Sequence, residues 1–152
     1  MAREHRYQVI VEWTGNLGQG TSDYRAYSRN YSISGPRKAS PIDGSSDAAF
    51  RGDAARYNPE DLLVASVSAC HMLWVLHLCA EAGIVVTAYT DEPAGLMQEH
   101  PDGSGEFSSV TLRPSLTLAD PARKAELAAI HHRVHELCFI ARSVKFPIVV
   151  EA

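Results

Sequence analysis

The sequence predicts an α+β domain in which two long helices pack on a mostly antiparallel sheet. Three observations carry this expectation. Strand-like alternation occupies residues 6–13 and 24–34, a helix start opens onto a long apolar run at Asn58, and the elements follow in the order ββ, helix, ββ, helix, β. A chain of 152 residues is long enough to bury one core. No internal repeat or composition break divides it, so residues 1–152 are read as a single domain.

The first alternating stretch, RYQVIVEW, and the second, YRAYSRNYSIS, flank NLGQGTS, a Gly-rich turn. Residues 35–57 are rich in Gly, Pro, Ser and charge and read as a long irregular loop. The strongest local signal follows: Asn58 as cap, Pro59 in the first helical position, and Glu60 and Asp61 against the helix dipole. This helix is expected to run to about Ala82 and stop at Gly83. Residues 84–97 read as a strand broken near Pro93, HPDGSGE as a hairpin turn, and FSSVTLRPSLTLA as a strand with Pro114 at an edge or bulge. Asp120 and Pro121 start the second helix, with Leu127, Ile130, Val134 and Leu137 on its apolar stripe. FPIVVEA closes the chain as a strand.

Composition narrows the function classes. A net charge of −4 and the absence of any basic cluster argue against nucleic acid as a partner. LLVASVSACHMLWVLHLCA nearly reaches the ~20 residues that span a bilayer. It nevertheless carries His71 and His77 and lacks Lys or Arg flanks, so a fully buried helix is the better reading and no membrane is implied. The first residues hold no apolar core of a secretory signal. Together with an odd count of three cysteines, this points to reduced thiols in the cytoplasm.

Each cysteine by itself reads as a small buried hydrophobe. Cys70 lies mid-helix and Cys138 near the end of the second helix, so the two thiols can face each other if the helices pack. Cys79 falls about 180° round the helix from Cys70 and is assigned to the core. His131 and His135, at i and i+4, have a spacing compatible with zinc. No third ligand accompanies them, and a solvated helix face is expected instead. His71 points about 100° away from Cys70, which argues against a thiolate–imidazole pair, and a cysteine hydrolase using Cys70 with His71 or His135 also lacks an elbow motif for its oxyanion hole. No cofactor or metal motif is recognised.

NPEDLLVASVSACH, with a Cys ten positions after the Glu, and the later HELCFIARSV together resemble the two cysteine motifs of the OsmC/Ohr family, the organic hydroperoxide resistance proteins. GIVVTAY after the first helix and the short last strand extend the resemblance over nearly the whole chain. One departure is that Phe139 follows Cys138 where the family carries Cys-Pro. The resemblance implies an OsmC-like fold, an intertwined homodimer, and a thiol peroxidase that reduces organic hydroperoxides with an external dithiol as reductant.

The resemblance also implies the site: Cys70 becomes a sulfenic acid, and Cys138 condenses with it to a disulfide. Arg25, in YRAYS, matches the family's activating arginine, with Arg29 in reserve and Arg51 and Arg56 weaker candidates. Glu60 matches the glutamate that holds that arginine. Ten helical residues place Glu60 roughly 15 Å along the axis from Cys70, so either a two-fold partner is expected to supply it or its turn lies against the arginine from further off. The alternative is a non-catalytic binding or scaffold member of the same fold that keeps its cysteines as core residues.

Overall fold

The computed structural model describes residues 2–152. Contacts divide the chain into two compact units, one running to Leu62 and the other Leu63–Ala152.

In the first unit, β1 (Ile10–Trp13), β2 (Tyr31–Ser34) and β3 (Ile42–Gly44) form an antiparallel sheet in the order β1-β2-β3. Pairing of Ile10 with Ser34 and of Trp13 with Tyr31 sets the first register. Tyr31 pairs with Gly44 across the second, and a Cβ on Gly44 would meet the Tyr31 ring at 2.2 Å, so only glycine fits there. Two expectations are corrected. Residues 24–30 are not strand, because the Asp23 carboxylate accepts from the Arg25 backbone N–H at 2.9 Å and turns the chain. The loop 35–57 is not wholly irregular, since it holds β3 and a 3₁₀ turn at Ala48–Phe50 capped by Asp47.

Helix α1 (Pro59–Glu81) starts and stops where its residues dictate. Asn58 Oδ1 accepts from the Asp61 N–H at 2.8 Å while Asp61 Oδ2 accepts from the Asn58 N–H at 3.1 Å, a reciprocal capping box. At the other end Gly83 takes φ 71°, and the Ile84 N–H donates to Cys79 O at 2.8 Å, closing a Schellman turn. The expectation of a fully buried helix is corrected. By length and apolarity α1 could cross a membrane, yet only 22% of its most apolar window is buried within the chain. The buried residues are Val67, His71, Val75 and Cys79, a single i, i+4 stripe.

In the second unit β4 (Val86–Thr90) pairs antiparallel with β7 (Ser115–Leu118). β5 (Ala94–Glu99) pairs antiparallel with β6 (Gly105–Leu112), which pairs parallel with β8 (Ile148–Val150). The single strand expected over residues 107–119 is therefore two. Pro114 cannot donate to a ladder, so the chain leaves one sheet at Leu112 and enters another at Ser115. The Arg113 N–H donates to Asp91 Oδ1 at 2.6 Å across this break.

The second helix begins as a 3₁₀ segment, Pro121–Glu126, capped by Asp120, and becomes α2 over Leu127–Leu137. Its buried residues are Leu127, His131 and Val134, with Cys138 next at the C-cap. The expected stripe is thus rotated: Ile130 and Leu137 are only half-buried, and a histidine takes a core position. One hydrophobic cluster joins Val75, Cys79, Ile84, Leu118, Leu127, Val134 and Cys138, and Cys70 packs against it. A second joins Val67, Val110, Leu112 and Ile148.

Candidate active site

Cys70 sits in the middle of α1, and Cys138 is the residue at which α2 ends. Helix termination places Cys138 at φ −65°, ψ 117°, with its N–H still bonded to Val134 O at 2.8 Å. The structure brings the two thiols together: Cys138 Sγ donates to Cys70 Sγ at a separation of 2.7 Å. They are 68 residues apart in sequence, and a disulfide between them requires only closure to ~2.05 Å. All three cysteines are present as free thiols, with Cys79 fully buried in the core.

The two sulfurs are not equivalent. Cys138 is 1% exposed, whereas Cys70 is half-buried and can meet a solute. Burial pushes the Cys138 thiol up, and the hydrogen bond it gives to Cys70 adds to the shift, against a smaller lowering by the Ala141 N–H. Cys138 therefore keeps its proton and directs it at Cys70. Trp74, one helical turn after Cys70, meets the rings of Phe139 and His77 edge-on at 5.7 and 5.6 Å between centroids, and lines a shallow recess with Leu73 and His77.

Arg25 and Glu60 fall in the first compact unit. Arg25 is exposed in the turn after Asp23, and among the described residues its guanidinium makes no hydrogen bond or ion pair. Arg29 is held more firmly, donating to Tyr24 O and Tyr27 O at 2.7 Å each while lying over both tyrosine rings. Glu60 occupies the first turn of α1; with Asp61 it adds to the upward shift that burial gives the Tyr31 phenol. Arg51 faces the Tyr24 ring, and Arg56 pairs with Asp43 and Asp53.

The histidine expectation is corrected. His131 is not on a solvated face: it is 5% exposed and His71 is 3% exposed. His71 Nε2 and His131 Nδ1 are 2.9 Å apart, with their rings 5° from parallel. Burial, and then the neighbouring His131, push His71 down to about 4, with Asp91 opposing and His135 adding slightly. Burial also lowers His131, again against Asp91. Asp91 is itself anchored by the Ser68 hydroxyl at 2.6 Å. The i, i+4 run Val67–His71–Val75–Cys79 was the sequence signal for a core histidine on α1. Among the described residues no three His, Cys, Asp or Glu side chains group to hold a metal.

A bonded pair of thiols, one buried and one half-buried, is thus carried on two helices of a mostly antiparallel α+β scaffold. Comparison with known proteins gives the family. The OsmC-like protein family matches residues 52–152, and the chain belongs to it. An OsmC-like protein of unknown function from Vibrio cholerae is 29% identical, superposes with a TM-score of 0.86, and is covered over 99% of its length by 97% of this chain. An organic hydroperoxide resistance protein OsmC from Legionella pneumophila, described as a predicted redox protein, shares the fold at TM-score 0.68 and 18% identity, over 97% of this chain and 96% of that one. A putative organic hydroperoxide resistance protein from Vibrio cholerae, solved with captopril in one of its active sites, does so at 0.65 and 20%, over 97% and 91%. No curated protein matches the sequence significantly.

Proposed function

We propose that this chain is a thiol peroxidase that reduces organic hydroperoxides, with Cys70 as the attacking thiol and Cys138 as the resolving one. The observation that carries this reading is the 2.7 Å separation of the two sulfurs, one accessible and one shielded. Cys70, as thiolate, attacks the terminal peroxide oxygen. The O–O bond breaks, and the alkoxide leaves and takes up a proton as the alcohol. The resulting Cys70 sulfenic acid is attacked by Cys138 sulfur; the S–S bond forms, and the hydroxyl departs as water with the Cys138 proton. An external dithiol returns two electrons and restores both thiols by exchange. Arg25 is the guanidinium proposed to favour the Cys70 thiolate, because its turn leaves it unengaged, whereas Arg29 is committed to two carbonyls. Three free thiols suit a reducing, cytoplasmic setting.

Titration of thiols tests the reading. One equivalent of cumene hydroperoxide added to the reduced protein is expected to lower the free thiols from three to one, leaving Cys79. An unchanged count would instead support a scaffold that keeps its cysteines for packing.

A homodimer, with Glu60 contributed across the two-fold axis, is part of the proposal. Its support is the apolar surface left open on one chain: Leu73 is 62% exposed and Val11 65%. Sedimentation equilibrium is expected to give twice the mass of the chain, and a monomer at micromolar concentration would remove the partner's role.

A further inference from the structure

Among the described residues two side-chain pairs tie α1 to the second helix: the thiols of Cys70 and Cys138, and the imidazoles of His71 and His131. The redox steps use the first pair and leave the second without a task. Resting on the peroxidase reading, we infer that the His71–His131 pair positions Cys138 for disulfide closure, so that the second chemical step depends on it and the attack on peroxide does not.

The two ties grip α2 at separated points. Cys70 and His71 are consecutive on α1, about 1.5 Å apart in rise and about 100° apart in direction. His131 and Cys138 are about 10 Å apart along α2, with Val134 buried between them on the same face. One contact would leave α2 free to pivot about it, whereas two contacts about two turns apart fix both its rotation and its slide. His71 Nε2 and His131 Nδ1 lie 2.9 Å apart with the rings 5° from parallel, so length, direction and ring plane are all defined. A pair of leucines would fill the space without setting any of them. Cys138 sits at the end of α2 and moves with it, while Cys70 is fixed in the middle of α1. Sulfur–sulfur bonding has strict geometry, so a shift of α2 by about an ångström costs closure far more than it costs peroxide access to Cys70.

The grip needs neutral rings, one nitrogen donating and the other accepting; two imidazolium rings would set N–H against N–H. Burial, then the His131 ring, hold His71 down to about 4, with Asp91 opposing and His135 of α2 adding. Asp91, which also opposes the lowering of His131 by burial, is fixed by the Ser68 hydroxyl and the Arg113 N–H. The pair is therefore intact near neutral pH and loosens as the pH falls through about 4.

Stopped-flow oxidation of reduced protein by cumene hydroperoxide separates the steps, since attack scales with peroxide concentration and closure does not. Combining His71→Leu with His131→Leu leaves no orphaned polar atom in the interface. The double substitution is expected to slow closure about tenfold or more, with the sulfenic acid trapped by dimedone, while attack changes less than about twofold. His131→Asn, whose amide puts a polar atom near the place of Nδ1, is expected to close within about threefold of wild type. The ratio of wild-type to double-substituted closure rates cancels the titration of the thiol itself. It is expected to hold near neutral pH and to shrink as the pH falls through about 4. Wild-type closure in the doubly substituted protein, or equal slowing of both steps, would overturn the inference. So would His131→Asn closing as slowly as the double substitution, or a rate ratio that stays flat to acid pH. Wild-type protein that reacts with no peroxide defeats the peroxidase reading instead. A glutathione redox buffer then sets the Cys70–Cys138 disulfide: the double substitution is expected to lower its equilibrium constant about tenfold, and an unchanged constant overturns this inference alone.

Discussion

Cys70→Ser is expected to reduce hydroperoxide consumption to background, a loss on the order of 10³-fold or more, because a serine hydroxyl at neutral pH supplies no comparable nucleophile. Cys138→Ser separates the two steps. The buried partner is then gone, so Cys70 is still oxidised once, but the product stays as a sulfenic acid that a dimedone-type reagent traps. Arg25→Met is expected to slow the first step and leave disulfide closure unchanged, since only thiolate formation depends on a nearby cation. Stopped-flow oxidation followed by mass analysis reads all three variants. Undiminished activity in Cys70→Ser would show that the chemistry lies elsewhere.

Acidification is the second large effect. His71 is held near 4 in the folded chain against an ordinary value of 6.5, and His131 is lowered as well. Between those values the unfolded chain binds more protons, so the stabilisation is complete above pH 6.5 and falls as the pH drops towards 4. The loss for His71 is of the order of 2–3 kcal/mol. Exposed carboxylates that hold depressed values, such as Glu106 beside Lys145, act in a lower window, below their unfolded value near 4.5. Urea titrations from pH 7 to about 2 separate the two windows. Replacing both His71 and His131 by leucine is expected to flatten the upper one with little loss at pH 7, because removing both partners of a buried hydrogen bond leaves no orphan. A slope that persists in the double variant would place the titration elsewhere.

The linkage bears on function because both contacts join the same two helices. Cys70 and His71 are consecutive on α1, and their partners Cys138 and His131 lie on or at the end of α2. Protonating the histidine pair loads a charge into the interface that also aligns the sulfurs.

Local chemistry made much of the fold legible. Asn58, Asp61 and Gly83 are read as helix signals and act through neighbours within a few residues, so α1 ends where the sequence says. Leu127 and Val134 are buried as the helical period implies, seven residues and about two turns apart on one face. Reading fails where a distant segment decides. Pro114 marks an interruption, but only the competition between two sheets shows that the chain changes partner there. Residues 24–30 alternate like a strand, but the local Asp23 hydrogen bond wins over a pairing that no neighbour offers.

The sequence alone determined the α+β class, the bounds of α1, and two candidate cysteines set within recognisable motifs. The tertiary structure alone decided that the sulfurs meet, that Cys138 is the shielded one, and that His131 is buried against His71. Backbone propensity and capping are settled over a few residues, whereas burial and side-chain pairing depend on which surfaces the packed helices and strands bring together.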